Sequence, residues 1–79
     1  MKVYIVYKEK FETDKPREYM TEPEILLGTA NKDKALQEIK NTKQKMSKHI
    51  YNSNEYGFEY DNDVFLYGTV GIIEEELIN

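Results

Sequence analysis

One segment of the sequence has the period of a helix, and segments with the period of strands flank it on both sides. Asn31 is a preferred N-cap residue, and the apolar residues after it fall in one stripe at about 100° per residue. The members of the stripe are Ala35, Leu36, Ile39, Met46 and Ile50. The pattern predicts a single helix, and this helix must bury its stripe against a sheet.

The chain has 79 residues and no cysteine, so its core must form without disulfides or thiolate-bound metal. A chain of this length supports one small core, and we expect a single domain over residues 1–79. No apolar run approaches the roughly 18–20 residues of a membrane span, and the apolar start is too short for a signal peptide. We therefore expect a cytoplasmic protein that does not interact with membranes.

Two strands are predicted before the helix. In KVYIVYKE, near the start of the chain, apolar residues occur on both alternating faces, which is typical of a strand inside a sheet. Residues 24–29, EILLGT, form the second strand. Residues 11–22 are predicted as a loop or a poorly paired hairpin extension, because Pro16 and Pro23 remove backbone donors and many neighbours are charged.

Two more strands are predicted after the helix, beyond a turn over residues 52–57. YGFEY and VFLYGTVGII flank residues 61–63, which predict a hairpin turn. Gly68 and Gly71 in the second run indicate a bulge or a close approach of the helix to the sheet. The order β-β-α-β-β predicts an α+β fold, with a mostly antiparallel four-stranded sheet and the helix packed on one face.

The sequence carries no catalytic or cofactor motif. The single histidine, His49, is predicted on the last helical turn, where a cation suits the helix dipole. Asp61-Asn62-Asp63 resembles the start of a calcium loop, but the later ligand positions hold Phe65, Leu66 and Ile72. We therefore expect a protein that is not an enzyme and that binds no cofactor or metal.

Charge is distributed unevenly along the chain. The net charge is -4, yet residues 31–50 carry six lysines and two acids, whereas residues 51–79 carry seven carboxylates and no lysine or arginine. Carboxylates interleaved with tyrosines suit docking against a basic surface, and such a protein could offer carboxylates where a partner would bind phosphates. The predicted partner-binding residues are Glu55, Tyr56, Glu59, Tyr60, Asp61, Asp63 and Tyr67.

Two other hypotheses remain open. A homo-oligomeric module, such as a homodimer, could pair through a sheet edge, and then Val64, Phe65 and Ile73 would matter more than the charges. A nucleic-acid binder could use Lys40, Lys45 and Lys48 of the helix. The isoelectric point of about 5.0 and the acidic neighbouring strands argue against direct nucleic-acid binding.

The first half of the chain, KVYIVYKEKF followed by EPEILLGTANKDKALQEIK, resembles small single-domain proteins of bacteriophages and prophages. These proteins have an N-terminal V-Y-x-V-Y strand, then a strand of I-x-G-x-[FYA] type and a helix that begins K-[DE]-K-A. The matching positions are Val3, Tyr4, Val6 and Tyr7, then Leu26, Gly28 and Ala30, and finally 32–35.

The resemblance implies a mobile-element accessory protein, and many such proteins inhibit host restriction or CRISPR nucleases or host transcription. It transfers no catalytic residue to this chain. We therefore expect a non-enzymatic phage or prophage protein that binds and inhibits a host protein with a basic surface. A nucleic-acid-handling defence enzyme, such as a CRISPR or restriction nuclease, is the expected target.

Overall fold

The computed structural model describes residues 1–12, 23–46, 48–63 and 66–77. Its fold is α+β with one helix, as the sequence predicts, but the antiparallel sheet has five strands rather than four. The elements are β1 (Lys2–Glu12), β2 (Glu24–Thr29), α1 (Lys32–Lys45), β3 (Ile50–Asn54), β4 (Gly57–Asp63) and β5 (Leu66–Glu76). The strand order is β2-β1-β5-β4-β3, so the first and last strands of the chain pair inside the sheet.

The additional strand is β3, and it replaces the end of the predicted helix and part of the predicted turn at 52–57. The helix ends at Lys45, and Met46 caps it with an extended backbone. Met46 and Ile50 still pack against the core, although they do so from the cap and from β3. The helical spacing of these two residues was therefore coincidental, since two different elements bring them to one core.

The predicted start of the helix is confirmed. The Asn31 side chain accepts a hydrogen bond from the Lys34 backbone N–H at 3.2 Å, which satisfies one of the free donors at the helix start. Asp33 lies in the first turn, and Lys43 and Lys45 lie in the last, so their charges complement the helix dipole.

Parts of two segments predicted as loop or turn belong to strands. β1 continues through Phe11 and Glu12, and residues 13–22 lie outside the described residues. Residues 61–63, predicted as a hairpin turn, belong to β4, and Asp63 pairs with Leu66. Paired backbone groups offset the low strand propensity of Asp and Asn at these positions.

The core lies between α1 and one face of the sheet. Its fully buried members are Val6, Ala35, Ile39, Phe58, Tyr60 and Val70, which come from the helix and from the three central strands. Directly paired residues share a face of a sheet, so the pairing of Phe58 with Val70 places both against the helix. We call this side of the sheet the helix face.

Gly68 and Gly71 of β5 leave room for tyrosine rings from the neighbouring strands, rather than for a bulge or the helix. A Cβ on Gly68 would collide with the Tyr60 ring, and a Cβ on Gly71 would lie 2.7 Å from the Tyr7 hydroxyl oxygen. Tyr60 and Tyr7 are the direct cross-strand partners of these glycines. Since residues 68 and 71 are three apart, the two rings lie on opposite faces of the sheet.

We expect Gly68→Ala to lower the free energy of unfolding by about 1–3 kcal/mol, because the new methyl group must displace the buried Tyr60 ring. Gly28→Ala is a matched control, since a Cβ there would meet nothing within 4 Å. Its effect should stay within about 0.5 kcal/mol. Urea denaturation of both variants measures the difference, and equal effects would contradict the assigned role of Gly68.

Candidate functional site

The sheet face opposite α1 is not covered by any described element. Its centre is apolar and runs across three adjacent strands, β2, β1 and β5. Ile25 is 61% exposed and Ile73 is 44% exposed, whereas Val3, Ile5 and Tyr7 are partly exposed. Tyr7 pairs with Ile25 and Ile5 pairs with Ile73, so these side chains form one continuous patch. We call this side the open face.

The charged strand residues described on the open face are all acidic. Glu9 follows Tyr7 by two residues, and Glu75 pairs with Val3, so alternation places both beside the apolar patch. Glu59 and Asp61 of β4 lie on the same face, because Glu59 pairs with Thr69, the partner of Glu9. The lysines of β1, at positions 2, 8 and 10, alternate onto the helix face. The described strand residues of the open face therefore carry charge of one sign, whereas the helix face carries these lysines together with Glu24, Glu74 and Glu76.

A shallow cavity of about 380 Å³ lies between the apolar patch and the acidic residues. Its lining includes Tyr7 on one side and Asn52 and Glu59 on the other, with Gly71 between them. The Asn52 side-chain amide donates a hydrogen bond to the Glu59 carboxylate at 2.5 Å, which fixes that carboxylate at the edge of the cavity. The cavity can thus receive a side chain that has both an apolar stem and a cationic end.

The His49 imidazole contacts the Asp61 carboxylate at the border of the open face. The His49 Nδ1 atom lies 3.0 Å from the Asp61 carboxylate, and the Asp61 N–H donates to the His49 carbonyl oxygen at 3.0 Å. The imidazole also stands 5.8 Å from the Tyr51 ring. His49 therefore lies between the helix and β3 rather than on the last helical turn. Because both side chains are exposed, the pair orients the carboxylate more than it stabilises the fold.

The structure separates the predicted partner-binding residues. Glu59 and Asp61 share the open face, whereas Tyr60, between them in sequence, points the other way and is 1% exposed. Its hydroxyl donates to the Glu9 carbonyl oxygen at 3.3 Å. The placement of Tyr60 on an exposed surface was wrong, because residues adjacent in a strand point to opposite faces.

Glu55 and Tyr56 form the turn between β3 and β4. The Tyr56 N–H donates to the Asn54 side chain at 2.8 Å, and the Lys32 ammonium lies 5.5 Å from the Tyr56 ring centroid. The turn therefore lies close to the start of the helix. Asp63 and Tyr67 lie in β4 and β5, and their side chains are outside the described part of the structure.

The sequence-based prediction of the partner-binding residues did not include the apolar patch, nor the acids Glu9 and Glu75 of the open face. Their signal is the alternation of β1, in which Val3, Ile5, Tyr7 and Glu9 share one face. Both faces of this strand are apolar at its start, so the strand alone does not indicate which face the helix covers. Only the sheet order and the position of the helix decide that.

Comparison with family models, with characterised proteins and with solved structures found no match to this chain. The helix within the described ranges is too short and too polar to cross a membrane. Over the same ranges, no group of three or more histidine, aspartate or glutamate side chains is placed to hold a metal ion. The arrangement on the open face is therefore interpreted from its own chemistry.

Two tyrosines of the predicted site, Tyr56 and Tyr60, differ in what raises their pKa. A hydrogen bond with Glu55, together with its negative charge, raises the pKa of the exposed Tyr56 hydroxyl. Burial, with a smaller contribution from the charge of Glu24, raises the pKa of Tyr60 above the ordinary value of 10.0.

We expect part of the alkaline loss of stability to come from Tyr60. The unfolded chain releases this proton near the ordinary tyrosine pKa, while the folded chain retains it to higher pH, so the free energy of unfolding falls as pH rises above about 10. Tyr60→Phe should show a smaller fall between about pH 8 and pH 11 in urea denaturation. An identical fall in the variant and the native protein would contradict this assignment.

Proposed function

We propose that this protein is a non-enzymatic interaction protein of phage or prophage origin that binds and inhibits a host protein through the open face. The observation that supports this proposal is the pairing of an uncovered apolar patch with charged residues of one sign. Ile25 and Ile73 are the most exposed members of the patch, and Glu59, Asp61 and Glu75 lie around it. Exposed apolar patches with polar rims are typical of protein-binding surfaces.

The partner that fits this surface has an apolar centre flanked by lysine or arginine. Apolar contact would supply most of the affinity, and the carboxylates would select a basic partner and accelerate its approach. A standard interface needs about 800 Å² from each side. The molecule extends 43 × 29 × 16 Å along its principal axes, so its broad side is large enough to provide that area.

A nucleic-acid-handling defence enzyme, such as a restriction or CRISPR nuclease, has the required chemistry. Its substrate groove is lined with cations that normally bind phosphates, and the acids of the open face would replace those phosphates. The aliphatic stems of lysine and arginine would pack on Ile5, Tyr7 and Ile73 while their charged ends reached the carboxylates. This target also agrees with the resemblance of the first half of the chain to phage accessory proteins.

Self-association through the same surface is disfavoured by charge. Two open faces in contact would bring Glu9, Glu59 and Glu75 of each copy together without a lysine or arginine from the described strands on that face. The sheet edges are also poorly suited to pairing. β2 and β3 have 6 and 5 residues, and their ladders contain register shifts.

We therefore expect the protein to be a monomer of 9.4 kDa in sedimentation-velocity measurements at micromolar concentration and low salt. Low salt is the informative condition, because it leaves the repulsion between carboxylates unscreened. A species of twice this mass would contradict the proposal and support the homodimer.

The docking proposal is tested by reversing charge on one face at a time. Asp61→Lys with Glu75→Lys changes the open face, and Glu74→Lys with Glu76→Lys changes neighbouring positions that alternate onto the helix face. The two double variants have the same net charge. Tagged native protein and both variants are used to capture proteins from a bacterial lysate at low salt and at about 0.5 M salt.

A true partner should be recovered by the native protein and by the helix-face variant, released by salt, and absent with the open-face variant. Its association rate with the open-face variant should fall about tenfold or more and lose salt dependence, whereas the helix-face variant should stay within about threefold of the native rate. Equal recovery or equal rates for both variants would exclude the open face as the docking surface. Recovery of nucleic acid alone would favour the lysine-rich helix.

A further inference from the structure

A groove lies between α1 and β3, which is the last strand at one edge of the sheet. Its volume is about 580 Å³, which is within the usual range for ligand sites. Leu36 and Ile39 provide its apolar lining, and Leu36 is partly exposed there. One wall is the helix, and the other is the end of β3 with the turn that follows it.

The two ends of the groove carry opposite charge. Asp33 lines one end from the first helical turn, and Glu55 lines it from the turn after β3, which lies close to the helix start. Lys40 and Lys43 line the other end, where the Lys43 ammonium donates a hydrogen bond to the Ser53 hydroxyl at 2.6 Å. The groove therefore runs from an acidic end beside the start of α1 to a basic end farther along the helix.

These charged groups keep the capacity to bind a ligand. Lys43 uses one of its three N–H donors for Ser53, and the Glu55 carboxylate, which bonds to Tyr56, has further acceptor sites. Over the part of the chain that the structure describes, neither the Asp33 nor the Lys40 side chain forms an ion pair. Both ends of the groove can therefore accept a charged group of a ligand.

Two features reduce the charge at the ends without cancelling it. The Lys32 ammonium is near the acidic end, but it lies 5.5 Å from the Tyr56 ring centroid and lines a separate small cavity with Tyr4 and Glu74. The helix dipole places about half a positive charge at the acidic end and about half a negative charge at the basic end. Each is smaller than the side-chain charge that it opposes.

The polar side chains between the two ends suit a peptide backbone. The Gln37 amide nitrogen donates to the Asn41 side chain at 2.9 Å, which leaves the Gln37 carbonyl oxygen as an acceptor. The Asn54 side-chain oxygen accepts from the Tyr56 N–H at 2.8 Å, which leaves the Asn54 amide protons as donors. A peptide backbone offers one donor and one acceptor per residue, so the groove can pair with both kinds of group.

We propose that this groove binds an extended peptide segment of a partner protein, in which a basic and an acidic residue flank an apolar one. The helical rise places Lys40 about 10 Å and Lys43 about 15 Å from Asp33 along the axis. An extended chain advances about 3.3 Å per residue, so the two charged residues of the segment lie about four positions apart. The apolar residue midway between them shares their face of the segment and packs on Leu36.

Titration of the full chain with short peptides, followed by NMR chemical shifts, tests the proposal. The probe is acetyl-KSLSE-amide, and acetyl-KSLSK-amide replaces its carboxylate with a second cation. The native protein should bind the probe about fivefold or more tightly than the second peptide. Lys40→Glu should abolish this preference, whereas Lys34→Glu makes the same charge change at an exposed helix position outside the groove and should retain it.

Four results would overturn the assignment. They are no binding of the probe at millimolar concentration, equal affinity of the native protein for both peptides, the same preference in both variants, and shift changes confined to the open face. Circular dichroism verifies that each variant is folded. Glu55→Lys, which alters the acidic end from the other wall, should also abolish the preference and provides a second test. The site is independent of the docking surface, because it lies on the helix side of the sheet.

Discussion

The antiparallel pairing of β1 with β5 determines the surface chemistry of the whole molecule. The two strands pair continuously from Lys2 with Glu76 to Glu12 with Leu66, in the middle of the sheet. This register decides which face each side chain takes, and a slip of one residue would exchange the faces of an entire strand. Burial enforces the register, because Val6 and Val70 reach the core only in this alignment. The absence of the β1 lysines from the open face thus follows from hydrophobic packing.

The glycines of β5 let this pairing coexist with two large rings. Tyr60 crosses over Gly68 and reaches the backbone of β1, so a single side chain links β4, β5 and β1 on the helix face. Tyr7 lies over Gly71 on the opposite face and forms part of the apolar patch. Each ring fills space that a glycine of β5 would otherwise leave empty. This packing stabilises β5, whose glycines lower its intrinsic propensity to form a strand. The core and the candidate docking surface therefore depend on the same local arrangement in one strand.

Much of the fold was predictable from the sequence, because the relevant signals are local. The Asn31 cap, the alternation in β1 and the α+β class follow from residue chemistry at short range. β3 was missed because Ile50–Asn54 is half polar, and its pairing with β4 supplies backbone hydrogen bonds that no sequence period reveals. The site was harder to predict. A run of acids in sequence suggested one surface, yet alternation divides Glu59, Tyr60 and Asp61 between opposite faces, and the position of the helix was needed to identify the open one.

One short stretch of β1 illustrates how the two faces of a single strand can differ in charge. Lys8 and Lys10 point toward a cavity at the end of α1, and Glu9, between them, points to the open face beside Tyr7. In sequence the charges of these three residues alternate in sign, but in the sheet the two lysines and the carboxylate lie on opposite faces. The net charge of -4 therefore describes neither surface. A basic partner at the open face would therefore meet Glu9 of this strand, while Lys8 and Lys10 lie on the opposite side of the sheet.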